Sequence, residues 1–188
     1  MASIATQCRR SMSGFGMEGG LSMAGEGRMT VINGRKTADF SGPVTVFIIG
    51  MRINSFLKIG KWWPVFKSMG PMIEELARNK DSGFLGTEYA LCSRRQIMLL
   101  PYWKDFDSLE RYARSKDEKH WPAWVAFNRN IGSDGTVGIF HETYVVQGGA
   151  YETVYGNMPS FGLGKVAGLV DATGSRNEAR DRMRVGRD

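Results

Sequence analysis

The sequence predicts a single α+β domain with the element order β-α-β-β-α-β, the ferredoxin-like arrangement, working as a homodimer. Four strand-like runs alternate with two amphipathic stretches in that order. In such a fold both helices cover one face of the sheet, and the other face stays apolar and needs a cover. A second copy of the chain is the simplest cover, because twofold dimers are the commonest oligomers.

The predicted strands are rich in β-branched and aromatic residues. The first run, 44–51, is apolar on both sides, which indicates a buried central strand. The second and third runs are joined only by Ser93, Arg94 and Arg95, and so short a polar link favours an antiparallel hairpin. The four strands are predicted over 44–51, 84–91, 96–103 and 136–146.

The helices are indicated by apolar residues at helical spacing with charged residues between them. The first follows Trp62 and Trp63, and Gly70-Pro71 within it predicts a kink or two helical pieces. The second begins at Asp105 or Asp107, because a carboxylate caps the free N–H groups of a first turn. It is predicted to break near Ser115, with a further helical piece over about 118–131.

Composition bounds the function classes. The chain has 188 residues, 42% of them hydrophobic, and a net charge of +6. That apolar content excludes a wholly disordered chain, and no run approaches the length of a membrane span. The basic excess lies largely in a mixed-sign tail, so neither nucleic acid nor a membrane is predicted as a partner. Cys8 and Cys92 match no metal or disulfide spacing, which favours a reducing compartment.

Three segments are predicted: a disordered N-terminal segment over 1–30, the domain over 31–170, and a flexible charged tail over 171–188. The first segment is rich in Ser, Gly and Met and contains Arg9 and Arg10. An organellar transit peptide is the alternative there. The predicted location is cytoplasmic.

Few residues are suited to acid–base chemistry, since His120 and His141 are the only histidines. His141 shares the apolar side of its strand, where a structural, hydrogen-bonded histidine is the plain alternative. Arg52 and Asn54 follow the first strand and share its alternation, and a charged group at the end of a buried strand is predicted to project into a cavity, with a structural ion pair as the alternative for Arg52. Glu142 is a possible partner for either Arg52 or His141. No phosphate loop, metal-ligand cluster or nucleophile elbow is present in the sequence.

Several long stretches resemble one family, named after a polyketide monooxygenase of the fumagillin pathway. The resemblance covers about residues 30–170, and it rests on the segments 46–54, 83–86, 102–110, 120–128, 138–144 and 151–159. The family is related to the dimeric α+β barrels, which include cofactor-free and haem-dependent members. The resemblance implies a cavity between sheet and helices, with a histidine on the second helix and a tryptophan near the end of the third strand. His120 and Trp103 hold those places here.

The first functional hypothesis is therefore a monooxygenase acting on a small aromatic or polyketide-like molecule. His120 would be the base, and the other predicted catalytic residues are Arg52, Asn54, Trp103, His141 and Glu142. The substrate would contact Trp124, Phe127, Asn128 and Tyr144. The alternatives are a haem-binding protein or haem-dependent enzyme, such as an aldoxime-dehydratase-like lyase, with His120 or His141 as the axial ligand, and a non-enzymatic small-molecule-binding module. The predicted cofactor is none or haem.

Overall fold

The computed structural model describes residues 30–115, 125, 129 and 134–184. In chain order the strands and helices are β1 (Ile32–Ala38), β2 (Val44–Ile53), α1 (Ile59–Arg78), β3 (Phe84–Ser93), β4 (Gln96–Trp103), α2 (Phe106–Arg114), β5 (Val137–Val146), β6 (Tyr155–Met158), α3 (Leu163–Ala167), β7 (Leu169–Asp171) and α4 (Ala179–Arg184). Short 3₁₀ turns lie at Lys80–Ser82 and Gly174–Arg176.

The central layer is a four-stranded antiparallel sheet in the order β3-β4-β2-β5. All four strands were predicted, and this order together with the connecting helix α1 confirms the ferredoxin-like fold class. β2 lies in the middle because its apolar run suits burial on both faces. Gly50 is required there, because a Cβ would lie 2.5 Å from the carbonyl oxygen of Ile97 and 2.6 Å from the Phe140 ring.

Helix α1 is a single continuous helix, although Pro64 and Pro71 both lie within it. Of the two alternatives predicted at Gly70-Pro71, two separate helical pieces are wrong, and a kink stays a prediction. The amphipathic pattern extends the helix across the prolines, since its apolar side packs on the sheet along its length. Helix α2 begins as predicted, with the Asp105 carboxylate accepting the Ser108 amide at 2.7 Å, and it ends at Ser115.

The helix-side face of the sheet carries the odd-numbered residues of β2 and their neighbours on the adjacent strands. Met51, Ile53 and Val137 pack there against Trp62, Val65, Phe66 and Met69 of α1. Further along, Leu76 and Leu109 close over Trp103. We call the other side the open face; its half-buried or exposed side chains are Ile48, Met98, Leu100, Phe140, Glu142 and Tyr144.

One end of the open face is covered by the chain itself, which the sequence did not predict. A second antiparallel sheet, in the order β6-β1-β7, and helix α3 pack there. Val44, Leu163 and Ala38 are the buried centre of this cluster, and Tyr102, Val146 and Tyr155 surround it. The open face that remains for a partner is therefore shorter than the sheet.

The segment predicted as a charged tail contains the last residue of β7 and the whole of α4. Ala172 is buried, and its amide donates to the Arg35 carbonyl at 2.9 Å. Arg182 pairs with Glu152 at 2.7 Å and also donates to the carbonyls of Arg176 and Asn177. The charged residues of this segment thus form specific ion pairs with the rest of the domain. The limits 31–170 for the domain stay a prediction.

Candidate functional site

The helix-side face brings together polar side chains in an otherwise apolar layer. Thr45 of β2 lies directly opposite Trp103 of β4 on one side and Val145 of β5 on the other. Phe47 follows Thr45 on the same face, and His141 of β5 lies opposite Ile49. Three strands therefore position Thr45, Trp103 and His141 on the face that the helices cover.

Trp103 is enclosed, with 1% of its surface exposed. Its ring meets Phe84 edge-on at 5.5 Å between centroids and contacts Tyr112 at 5.7 Å. Leu76 of α1 and Leu109 of α2 complete the enclosure. Within the part of the chain that the structure describes, no acceptor lies within hydrogen-bond distance of the buried indole Nε1–H.

Thr45 is fully buried, and among residues 30–115 and 134–184 its hydroxyl also finds no partner. Burying a polar group without a hydrogen bond costs about 1–3 kcal/mol. Native proteins contain few such groups, and each calls for an explanation. The Thr45 hydroxyl and the Trp103 indole N–H are two such groups, and they belong to directly opposed residues of adjacent strands beneath the helices. A ligand with a polar oxygen would satisfy both.

His141 borders this region as an exposed side chain of β5. Its imidazole ring contacts the Phe47 ring at 5.6 Å between centroids, tilted by 46°. The prediction that His141 shares a strand face with Val137, Ile139, Thr143 and Val145 agrees with the register.

Arg52 and Asn54 do not join Trp103, contrary to the predicted common cavity. Met51 and Ile53 point into the helix-side core, so Arg52 between them points to the other face, where it is exposed and donates to Gln96 at 3.5 Å. The Asn54 amide donates to the Gly135 carbonyl at 2.9 Å, which fixes the loop after β2. The predicted catalytic roles of Arg52 and Asn54 have no support from this arrangement.

Glu142 and Tyr144 also lie on the open face, away from His141. The Tyr144 hydroxyl donates to Glu142 at 2.6 Å, and this hydrogen bond raises the pKa of Tyr144. Glu142 therefore pairs with neither Arg52 nor His141, and Tyr144 does not line the helix-side face. The remaining predicted residues, His120, Trp124, Phe127 and Asn128, lie outside the described residues.

A second polar cluster, at the start of α3, serves the fold. The backbone amide of Gly162 donates to Glu88 at 3.0 Å, and that of Gly164 donates to the Tyr155 hydroxyl at 3.0 Å. The Leu163 amide bonds to Tyr102, whose pKa is raised by burial and, to a smaller extent, by Tyr155 and Glu88. These oxygens already receive the amides that begin the helix, so the cluster locks α3 onto the sheet.

Metal binding has no support in the described part of the chain, where no group of three or more His, Cys, Asp or Glu side chains is placed to hold an ion. Over the same residues, no helix combines the length and apolar character needed to cross a bilayer. Thr45 is the site residue that sequence reasoning missed. Its signal was a hydroxyl within an apolar strand, which is weak because threonine is a common strand residue.

Comparison with known proteins adds a family match. The sequence model of the family described as Monooxygenase af470-like matches residues 44–163. Monooxygenase af470 from Aspergillus fumigatus is 28% identical over 156 residues, and the match covers 72% of this chain and 54% of the relative. The chain thus spans about half the length of this curated relative. The matched range holds the four-stranded sheet, Thr45, Trp103 and His141.

Two solved structures are similar to parts of this chain. Aldoxime dehydratase superposes with a TM-score of 0.60 at 16% identity, over 76% of this chain and 43% of that one. SnoaB, a cofactor-independent oxygenase from Streptomyces nogalater, superposes with a TM-score of 0.40 at 13% identity, over 56% of this chain and 94% of that one. The first of these supports the fold alone.

Proposed function

We propose that this chain, which belongs to the Monooxygenase af470-like family, is a monooxygenase whose substrate binds between the sheet and its helices. The observation that carries the proposal is the unpartnered pair of the Trp103 indole N–H and the Thr45 hydroxyl, buried side by side under α1 and α2. The substrate class is a small aromatic or polyketide-like molecule. Its flat rings match an enclosure built from Phe47, Phe84 and Tyr112.

The buried pair suits a substrate oxygen that becomes negatively charged. A base takes a proton from a carbon next to the substrate's carbonyl or phenol group, and the charge moves onto that oxygen. Two donors already fixed in a dry, apolar enclosure stabilise such an anion more strongly than water does. The base would be a histidine: either His120 in its predicted role, or His141, which lies on the same face of the sheet opposite Ile49, four residues along β2 from Thr45.

The reaction balances without an added reductant. The substrate anion gives electrons to dioxygen, and the two combine as a hydroperoxide. The hydroperoxide breaks its O–O bond and loses water, leaving a carbonyl: R₂CH₂ + O₂ → R₂C=O + H₂O. The substrate supplies all four electrons, one oxygen atom enters the product and the other leaves as water. No residue has to change its oxidation state.

Haem remains the alternative cofactor, and the described residues fit it poorly. Its axial ligand would be His141, because His120 lies outside them. The His141 ring is exposed and contacts the Phe47 ring at 5.6 Å between centroids. Titration with haem tests this directly. A Soret band at saturating haem that disappears in either His141→Ala or His120→Ala would replace the cofactor-free mechanism.

Oxygen consumption tests the proposed activity. The purified protein is offered anthrones and phenols that carry an activated CH₂ group in an oxygen electrode, and the product is checked by mass spectrometry for one oxygen atom gained and two hydrogen atoms lost. Trp103→Phe keeps the ring and removes the N–H, so turnover should fall about 100-fold, as for loss of one anion-stabilising donor. Trp62→Phe is the matched control, since the Trp62 N–H is already bonded to the Phe56 carbonyl at 3.0 Å.

Two results would contradict the proposal. One is unchanged turnover in Trp103→Phe while the fold is intact. The other is a protein that binds these molecules but consumes no oxygen with any of them, which would favour the binding-module hypothesis.

The open face supports a proposed homodimer. Its half-buried apolar residues lie next to Tyr144, which is half exposed, and a second copy would bury them. Tyr144→Glu should convert the dimer to a monomer in light scattering. Val145→Glu is the matched control, because Val145 is equally exposed but points to the opposite face. A wild-type chain that is monomeric at high concentration would contradict the dimer.

A further inference from the structure

The loop between β2 and α1 exposes large apolar side chains at one end of the molecule. Leu57 is 95% exposed and Ile59 is 58% exposed, with Phe56 exposed beside them. Single exposed apolar residues are ordinary, but three within four positions of one loop form a patch. The loop follows β2 at the end of the sheet that lies far from α3 and the second sheet.

The charge around this loop has one sign. The segments 52–67 and 91–96 together contain six basic residues and no acidic residue: Arg52, Lys58, Lys61, Lys67, Arg94 and Arg95. Among the residues that the structure describes, one acid from elsewhere pairs with them, since Asp134 lies 3.5 Å from Lys61. Six positive charges less one negative charge leave about five positive charges near the apolar tip.

The loop and the β3–β4 hairpin tip are joined into one surface. The Arg95 guanidinium carbon lies 4.6 Å from the centre of the Phe56 ring, and its Nη1 donates to the Asn54 carbonyl at 2.9 Å. The Trp62 indole donates to the Phe56 carbonyl at 3.0 Å. These contacts hold the loop in a defined shape. We call Phe56, Leu57 and Ile59, with Lys58, Lys61, Arg94 and Arg95, the loop patch.

We propose that the loop patch binds the surface of an anionic lipid bilayer. Leu57 and Ile59 would enter the boundary between headgroups and acyl chains, and the lysines and arginines around them would contact anionic headgroups. Trp62 and Trp63, half-buried at the start of α1, lie at the level where tryptophan favours the interface. The chain would lie on the membrane without crossing it.

A lipid surface fits these residues better than other partners do. A nucleic-acid backbone would match the charges but not the apolar tip that projects between them. A second copy of this chain would bring the same positive charge against itself, which is repulsive at such close range. An anionic bilayer offers negative charge and apolar depth together, so it satisfies both halves of the patch.

The experiment is sedimentation of the full chain with vesicles. Vesicles of phosphatidylcholine mixed with phosphatidylserine should bind the protein, and vesicles of phosphatidylcholine alone should bind it far less. Binding should weaken as salt is raised, because the headgroup attraction is screened. Arg94→Glu should lower the partition coefficient at least fivefold, since each basic residue near the surface contributes about that factor.

The double variant Leu57→Asp/Ile59→Asp should reduce binding at least tenfold while its thermal melt stays that of the wild type. Val154→Asp is the matched control, because Val154 is half exposed at the other end of the sheet. The proposal is overturned if the wild type does not bind anionic vesicles, or if the double variant binds like the wild type. It is also overturned if that variant instead changes the oligomeric state or abolishes binding of a DNA probe.

Discussion

Removing the Thr45 hydroxyl should make the protein more stable and less active at the same time. The hydroxyl is fully buried and lacks a hydrogen-bond partner among the described residues. An unpaired buried polar group costs about 1–3 kcal/mol, so Thr45→Val should raise the free energy of unfolding by about 1 kcal/mol. The valine keeps the branched shape that β2 needs and leaves no cavity.

Thr37 provides the matched control for this substitution. It is also buried in a strand, but its hydroxyl lies 3.0 Å from that of Thr153. Thr37→Val should therefore lower the free energy of unfolding by about 1 kcal/mol, because it removes the hydrogen bond between the Thr37 and Thr153 hydroxyls. The two substitutions are chemically identical, and only the hydrogen bonding of the hydroxyl differs between the sites.

Calorimetry measures the effect, since about 1 kcal/mol moves the melting temperature by about 2–4 °C in a chain of this size. Thr45→Val should melt higher than the wild type, and Thr37→Val should melt lower. If Thr45→Val melts lower as well, the Thr45 hydroxyl is hydrogen-bonded in the protein, and the reasoning about the site fails. If Thr45→Val keeps the turnover of the wild type, the unpaired Thr45 hydroxyl has no role in catalysis.

Two further predictions concern the fold. Gly50→Ala should lower the free energy of unfolding by more than about 2 kcal/mol in a urea titration, because its Cβ would meet the Ile97 carbonyl. Gly156→Ala is the steric control, since Gly156 also lies in a strand but an added Cβ there would meet open space. The hydrogen bond to Ser108 lowers the pKa of Asp105. The ionised Asp105 carboxylate therefore stabilises the folded protein fully above its unfolded pKa, which is near 4. This stabilisation is lost as the pH falls through the lower pKa that Asp105 has in the folded protein. Asp105→Asn should keep the cap and remove this acid dependence in melts between about pH 2 and 5, whereas Asp105→Ala should lose about 1 kcal/mol at neutral pH.

The sequence was sufficient for the central sheet because each of its strands is a continuous run of residues that favour strands. β1, β6 and β7 were not predicted, since their residues are short, mixed runs such as Ile32–Ala38. Their pairing partners are far away in sequence: Lys36 of β1 lies opposite Tyr155 of β6 and Asp171 of β7. Pairing at such separations is decided by tertiary packing, which local patterns do not contain.

The site was only half predictable for a related reason. Alternation along β2 correctly groups Arg52 with Asn54, but β2 is apolar on both faces, so the sequence does not tell which set the helices cover. The prediction placed Arg52 with Trp103, and the register places Thr45 there instead. Alternation along β5 also groups His141 with Val137. Val137 is buried against α1, so this grouping puts His141 on the helix-side face.

Helix α1 connects the two proposals physically. Trp62 lies at its patch end, and Leu76, which encloses Trp103, lies 14 residues later, about 21 Å along the axis. If both proposals hold, an apolar substrate dissolved in a bilayer would meet the protein at the patch end of α1, the helix that also covers the buried pair. Leu57→Asp/Ile59→Asp should then slow oxygen consumption with an apolar substrate supplied in anionic vesicles and leave the rate unchanged with a water-soluble phenol. If the rate of oxygen consumption falls equally with both substrates, the loop affects the site directly, and membrane binding does not supply the substrate.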